Sequence, residues 1–201
     1  YLVGASFTGL TEFVFKSNNS TTDPIALFTA LLGDAEAEVR TAAARQLAAT
    51  CALFPASEFE RRILPVLRQL ASDPSVSVRS TVATQLNPLS AIAGAELASS
   101  ALFPLYTHFF ADESSQVRLN AVSKMDVVCG VMGIERVAAS ILPAIVQLAE
   151  DKQWRVREAV IEHLPTLSQH LVKSIVIVLF ILLCRVRNSL LIIWSKFVWI
   201  C

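Results

Sequence analysis

Glycine is scarce in this chain, with six in 201 residues, and none lies in a spacing that could cradle a phosphate or open a nucleophile elbow. That removes P-loop nucleotide hydrolysis, dinucleotide binding and the commonest serine-hydrolase geometry, each of which needs glycine where the backbone turns tightly or approaches a ligand. Histidine is scarcer still. His108, His163 and His170 fall on separate stretches, and only the adjacent Glu162-His163 offers a second metal ligand, whereas an iron site built from helical repeats needs several His-Glu pairs. No cofactor, metal or catalytic residue is therefore expected. Four cysteines are present without a Cys-x-x-Cys pair, so neither a zinc site nor a redox dithiol is indicated. With no secretory leader at the start, a reducing compartment is expected, the cytoplasm and also the nucleus.

Charge is thin as well, at 17% of the chain against a usual figure of about 25%. Residues 172–201 hold 22 apolar residues out of 30 and four basic side chains, Lys173, Arg185, Arg187 and Lys196, with no acid. Residues 1–171 then carry 13 basic against 17 acidic groups, a net charge of −4. A mildly acidic body does not hold nucleic acid through its phosphates. The apolar run 175–184 is ten residues long, short of the roughly 20 that a membrane span needs, and no membrane anchor is expected.

What is present is a period. Asp34-Ala-Glu-Ala-Glu-Val-Arg40 recurs as Asp73-Pro-Ser-Val-Ser-Val-Arg79, as Asp112-Glu-Ser-Ser-Gln-Val-Arg118 and as Asp151-Lys-Gln-Trp-Arg-Val-Arg157, each 39 residues after the last. A strict period of this length marks stacked helix pairs, an all-α solenoid. On either side of the turn the columns hold. Before it, Ile25, Leu64, Phe103 and Leu142 align, as do Phe28, Leu67, Tyr106 and Ile145, and then Leu31, Leu70, Phe109 and Leu148. Their spacing of three places them on one face of a first helix. After the turn, Val39, Val78, Val117 and Val156 are followed at plus four by Ala43, Val82, Ala121 and Val160, and at plus eight by Leu47, Leu86, Met125 and Leu164. This is the seam of a second helix. Cys51 and Cys129 share a column two periods apart, a separation of roughly 20 Å at helix spacing, which no disulfide bridges.

Punctuation follows the same period. Pro65, Pro104 and Pro143 predict helix starts, since proline in the first turn forfeits no helical hydrogen bond. Gly94 and Gly133 predict left-handed caps after the second helix, with Pro55 in that place one repeat earlier. Asn87-Pro88 and Leu164-Pro165 predict kinks. The expected organisation is the second helix of an incomplete repeat plus a polar loop over 1–22, repeats over 23–61, 62–100, 101–139 and 140–171, and an apolar tail over 172–201. In the tail the Asp column reads Leu190 and the Arg column Lys196. Sequence foreign to the repeats, such as translated intron or a shifted frame, accounts for that break.

The turns carry the remaining chemistry. Stacking brings the aspartate of one turn towards the arginine of its neighbour, so Asp34, Arg40, Asp73, Arg79, Asp112, Arg118, Asp151 and Arg157 read as a structural ladder of charge-assisted bonds. Between these columns the turns differ: Ala37-Glu38, Val76-Ser77, Ser115-Gln116, Trp154-Arg155. Trp beside Arg on an exposed loop has the composition of a binding hot spot, or else Trp154 closes over the local core.

Helix pairs with Asp and Val-Arg in the intra-repeat turn resemble HEAT repeats, and the constant 39-residue period is similar to the scaffold (A) subunits of protein phosphatase 2A. The resemblance is carried by residues 142–157 and 161–165, by Glu113 to Asn120 and by Gly133 to Arg136. It spans residues 1–171, as a fragment of the central-to-late repeats. It implies a right-handed α-solenoid, noncatalytic, whose intra-repeat loops form a ridge that partners grip: the phosphatase catalytic subunit on later repeats, an exchangeable regulatory B-type subunit on earlier ones. Lys152, Gln153, Trp154 and Arg155 match a partner-binding turn of that family. A nuclear-transport receptor is the rival among HEAT-type adaptors, and an iron-dependent helical-repeat hydroxylase the rival among enzymes.

Overall fold

The computed structural model describes residues 23–123 and 143–170. The helix expected over residues 1–15, Met125, Cys129, Gly133, Leu142, the tail over 172–201, and the side chains of Leu164 and His170 lie outside the described residues. The chain forms two compact units, residues 1–109 and 110–201. Every described element in both is helical, and the fold is an all-α solenoid of helix pairs.

In the first unit, α1 (Pro24–Leu32) begins where Asp23 accepts hydrogen bonds from the Ile25 and Ala26 N–H groups, and ends at Gly33. The turn leads into α2 (Ala37–Ala44) and α3 (Leu47–Cys51). These are the two halves of one expected helix, broken at Arg45-Gln46, and Gln85 of the neighbouring repeat accepts from Ala48 N–H at 3.4 Å beside the break. The next first helix runs without interruption through α4 (Ala56–Glu58), the π segment Phe59–Ile63 and α5 (Leu64–Ala71). After the second turn comes α6 (Val76–Leu97), then the π segment Ala98–Leu102 and α7 (Phe103–Phe110).

Two expectations about proline are corrected here. Pro65 and Pro104 do not open their helices. Each lies well inside one, with a single residue (Leu64 or Phe103) between it and a π segment, and the two π segments, 59–63 and 98–102, are themselves one period apart. A proline ring clashes with the carbonyl four residues earlier and offers that carbonyl no N–H. Widening the preceding turn to an i to i+5 pattern moves the carbonyl aside, so the helix continues. Nor does Pro88 interrupt α6, where Gly94 alone has non-helical angles. Pro88 and Thr84 are both exposed, so the carbonyl left without a donor faces water.

The break expected at Gly94 is present in altered form. Its φ of 80° and ψ of 169° are extended with positive φ, not the left-handed helical cap, and that region is essentially open to glycine alone. With Pro55 also extended, the helix pairs divide at 55 and 94, ahead of the cuts at 62 and 101 that the sequence suggests. Residues 76–110 are long and apolar enough by composition to cross a bilayer, yet Gly94 divides them, and Val78, Val82, Leu86 and Leu89 are fully buried against the repeat.

The core follows the columns. Phe28, Leu67, Tyr106 and Ile145 are all buried, as are Ala43, Val82, Ala121 and Val160. Burial of one such Leu or Phe contributes roughly 1.5–3 kcal/mol. Tyr106 is the polar member of its column, and its hydroxyl donates to Asn87 Oδ1 at 2.7 Å, a buried tie between the second helix of one repeat and the first helix of the next. Cys51 is buried and free, and burial pushes its thiol up to about 12, so it stays an unreactive core residue. In the second unit, α8 (Ser115–Val122), α9 (residues 143–149) and α10 (Trp154–His170) are described, with α8 packed on α10. The helix continues through Pro165.

Candidate functional site

All four turns are built the same way. The aspartate Oδ1 accepts the N–H two residues on: Glu36 to Asp34 at 2.9 Å, and Ser75 to Asp73, Ser114 to Asp112 and Gln153 to Asp151 at 2.8 Å. The arginine six residues later closes the loop from the other side. Its Nη1 donates to the aspartate's own carbonyl, at 2.8 Å for Arg40 and Arg79 and 2.7 Å for Arg118 and Arg157. One edge of the guanidinium is thereby committed to its own turn, which aims the Nε and Nη2 edge along the stack.

Within each unit that edge meets the next aspartate. Arg40 donates to Asp73 from Nε at 2.7 Å and Nη2 at 2.9 Å, and Arg118 donates to Asp151 at 2.6 and 2.9 Å. These are bidentate pairs, the stronger kind of charge-assisted bond. Burial pushes the Asp73 and Asp151 carboxyls up, but the arginine hydrogen bonds, the turn N–H groups and the nearby charges outweigh it and hold both below the ordinary carboxylate range. The same contact raises Arg40. Arg79 and Asp112 belong to different units, and within its own unit each makes the turn bonds already given.

A further cross-repeat bond joins Arg62 to Asp23 at 2.6 Å, holding the Asp23 carboxyl low. These residues are 39 apart and so share a column. That column holds an acid once and a base once, so no repeated pattern announced the pair. The Asn87 partner of Tyr106 was likewise unannounced, although a hydroxyl in an apolar column is a signal that a buried acceptor must be nearby. His108 is exposed, with Nε2 3.1 Å from the Ala71 carbonyl, and Glu162 and His163 lie on α10. Among the described residues no group of three or more His, Cys, Asp or Glu could hold a metal.

The residues carried between rung positions are where the turns diverge. Val76 is 40% exposed and Trp154 56%. Trp154 therefore does not close over the core. It is the first residue of α10, on a turn fixed by Asp151 and Arg157, and the Arg155 guanidinium lies 5.4 Å from its ring centroid, within cation–π range. Lys152 and Gln153 beside it are exposed, while their carbonyls are tied, Lys152 to Arg157 Nη1 at 3.2 Å and Gln153 to the Val156 N–H at 3.1 Å. The result is a large aromatic face and a guanidinium in water on rigid backbone, with little conformational entropy left to lose on binding.

Comparison with known families now decides the class. A PPP2R1A-like HEAT repeat model matches residues 20–94, and a HEAT repeat model matches residues 141–171. The chain is a HEAT-repeat protein. Among solved structures this HEAT-repeat chain is similar to Cex1p, with a TM-score of 0.65 and 19% identity over 80% of the chain. It is also similar to Pds5 in the Pds5-Scc1 complex, with a TM-score of 0.59 and 17% identity over 80% of the chain. These likenesses are of fold. The matches span 32% and 25% of those two chains, so this HEAT-repeat chain corresponds to about a third and a quarter of their lengths. Among curated proteins no sequence matches it.

Proposed function

We propose that this HEAT-repeat chain is a noncatalytic scaffold segment that holds a Ser/Thr phosphatase catalytic subunit at the Trp154 turn and a regulatory B-type subunit on the turns of its first unit. The observation that carries the reading is the exposed Trp154-Arg155 stack on a turn whose backbone the rung locks. Trp and Arg are both enriched at hot spots, and most of an interface's energy falls on a few such residues. The PPP2R1A-like match over residues 20–94 supports the same reading from the other unit. The mechanism is geometric: a catalytic and a regulatory subunit held on one support act at a raised effective concentration. Such a scaffold works in the cytoplasm and the nucleus, without membrane or nucleic acid.

The test is capture of purified phosphatase 2A catalytic subunit by the full 201-residue chain. Trp154→Ala with Arg155→Glu should weaken capture at least tenfold and leave thermal unfolding unchanged. Unchanged capture overturns the assignment of this turn, and no capture by the unsubstituted chain overturns the phosphatase reading in favour of another HEAT-type adaptor, of which a nuclear-transport receptor is the leading case.

A further inference from the structure

The side chains of the Trp154 turn divide into those committed to the backbone and the rung and those left over. Asp151 is spent on Arg118 and on the Gln153 N–H, and Arg157 on the carbonyls of Asp151 and Lys152. Left over are the Lys152 ammonium, the Trp154 indole and the Arg155 guanidinium, all exposed. Among the described residues no carboxylate forms an ion pair with Lys152 or Arg155, and the guanidinium lies instead over the Trp154 ring. Ammonium, indole N–H and guanidinium donate and cannot accept.

Exposure at this position does not depend on the turn's place in the chain. Val76 holds the same place in a turn with a repeat before it and a further repeat after it in sequence, and it too is exposed. The chemistry, by contrast, belongs to this turn. Ala35-Glu36-Ala37-Glu38 carries two acids, Pro74-Ser75-Val76-Ser77 no charge and Glu113-Ser114-Ser115-Gln116 one acid, so Lys152-Gln153-Trp154-Arg155 is the cationic turn of the four. It sits in a body, residues 1–171, whose net charge is −4. A long polyanion such as nucleic acid meets the charge of that whole body, whereas a short acidic segment meets the turn, since charges beyond about 10 Å are screened. The indole adds an apolar face beside the two cations, and an aliphatic side chain next to the acids covers it.

On the reading that this turn seats the phosphatase catalytic subunit, we propose that the subunit docks there through an acidic segment, an aliphatic side chain flanked by Asp or Glu carboxylates. The carboxylates meet Lys152 and Arg155, the latter through the paired donors that suit a guanidinium to a carboxylate, and the aliphatic side chain lies on the Trp154 ring face away from Arg155.

The experiment measures binding of a fluorescently labelled synthetic peptide, one Leu between runs of Asp and Glu, to the full 201-residue chain, beside a counterpart with Asn and Gln in place of the acids. The acidic peptide should bind about tenfold more tightly than its counterpart and lose that advantage in high salt. Lys152→Glu with Arg155→Glu should weaken it by about tenfold or more. A transplant guards against misfolding. The second turn has the same backbone bonds, so Pro74→Lys, Val76→Trp and Ser77→Arg, added to a chain carrying Lys152→Ala, Trp154→Ala and Arg155→Ala, should restore the binding that the three alanines remove. Equal binding of the two peptides, undiminished binding by the charge-reversed chain, or a transplant that restores nothing overturns the proposal. Capture of the catalytic subunit that neither salt nor charge reversal weakens also overturns it and leaves the phosphatase reading in place. Peptide binding without capture of the subunit keeps the acidic chemistry and removes the phosphatase as its source.

Discussion

The Arg40–Asp73 rung in the first unit and the Arg118–Asp151 rung in the second have nearly the same hydrogen-bond lengths and the same turn bonds behind them, yet the turns they hold carry different surfaces. One presents Val76 and Ser77, the other Trp154 and Arg155. The comparison separates two jobs that a seven-residue turn performs at once. Positions one and seven fix the backbone and tie repeats together, and they repeat without change. Position six is also constant, a valine buried in three of the four turns, and the other inner positions vary from turn to turn, where the proposed reading places what a partner touches.

The comparison breaks most severely if a rung is removed. Asp73→Ala and Asp151→Ala should each cost about 2–4 kcal/mol, by leaving a mostly buried guanidinium without its charge partner. The loss should be seen by amide exchange in the unit concerned and not in the other. If Asp73→Ala instead costs less than about 0.5 kcal/mol, the rungs are decorative. Next in size is the effect on binding. Copying the first unit's surface into the second, with Trp154→Val and Arg155→Ser, should cost about 2 kcal/mol in capture of the phosphatase catalytic subunit and under about 0.5 kcal/mol in stability. Gly94→Ala should destabilise the first unit by roughly 1–3 kcal/mol, from backbone strain alone, because an added Cβ there meets no neighbouring atom within 4 Å. Chemical denaturation measures it.

Acid gives a graded version of the first test. Asp73 and Asp151 are held below the ordinary carboxylate range in the folded chain, so as pH falls the unfolded chain takes up those protons first, near about pH 4. The rungs' contribution should be complete above that pH and decline as pH falls through the lower folded values. Denaturation midpoints at pH 6 and pH 3 should differ less in the Asp73→Ala variant than in the unsubstituted chain. Smallest of all, Val76→Ser should change stability by no more than about 0.5 kcal/mol, since an exposed valine on a rung-fixed turn contributes little.

Much of this was legible in the sequence because periodicity multiplies a weak signal. A single Asp-to-Arg spacing means little, but four in register identify the turn, and Val39, Val78, Val117 and Val156 are read as one seam because the column repeats. What repeats once escapes such reading. Arg62 with Asp23, and Asn87 with Tyr106, are pairs joined by packing between neighbours, and no column repeats them. The prolines misled for a related reason. Pro65 and Pro104 have the spacing of helix starts, but whether a proline opens a helix or sits inside one after a π turn depends on the register of the carbonyls around it.

By itself the sequence determined the all-α class, the 39-residue unit, the buried columns and the atoms of each turn, since these depend on local spacing and hydrogen-bonding capacity. Only the tertiary structure decided that Arg40 and Arg118 reach their aspartates through both Nε and Nη2 and that Trp154 stands in solvent with Arg155 over its ring. Those outcomes turn on how much surface a neighbouring repeat covers, and burial is a property of the packed stack that no single stretch of chain carries.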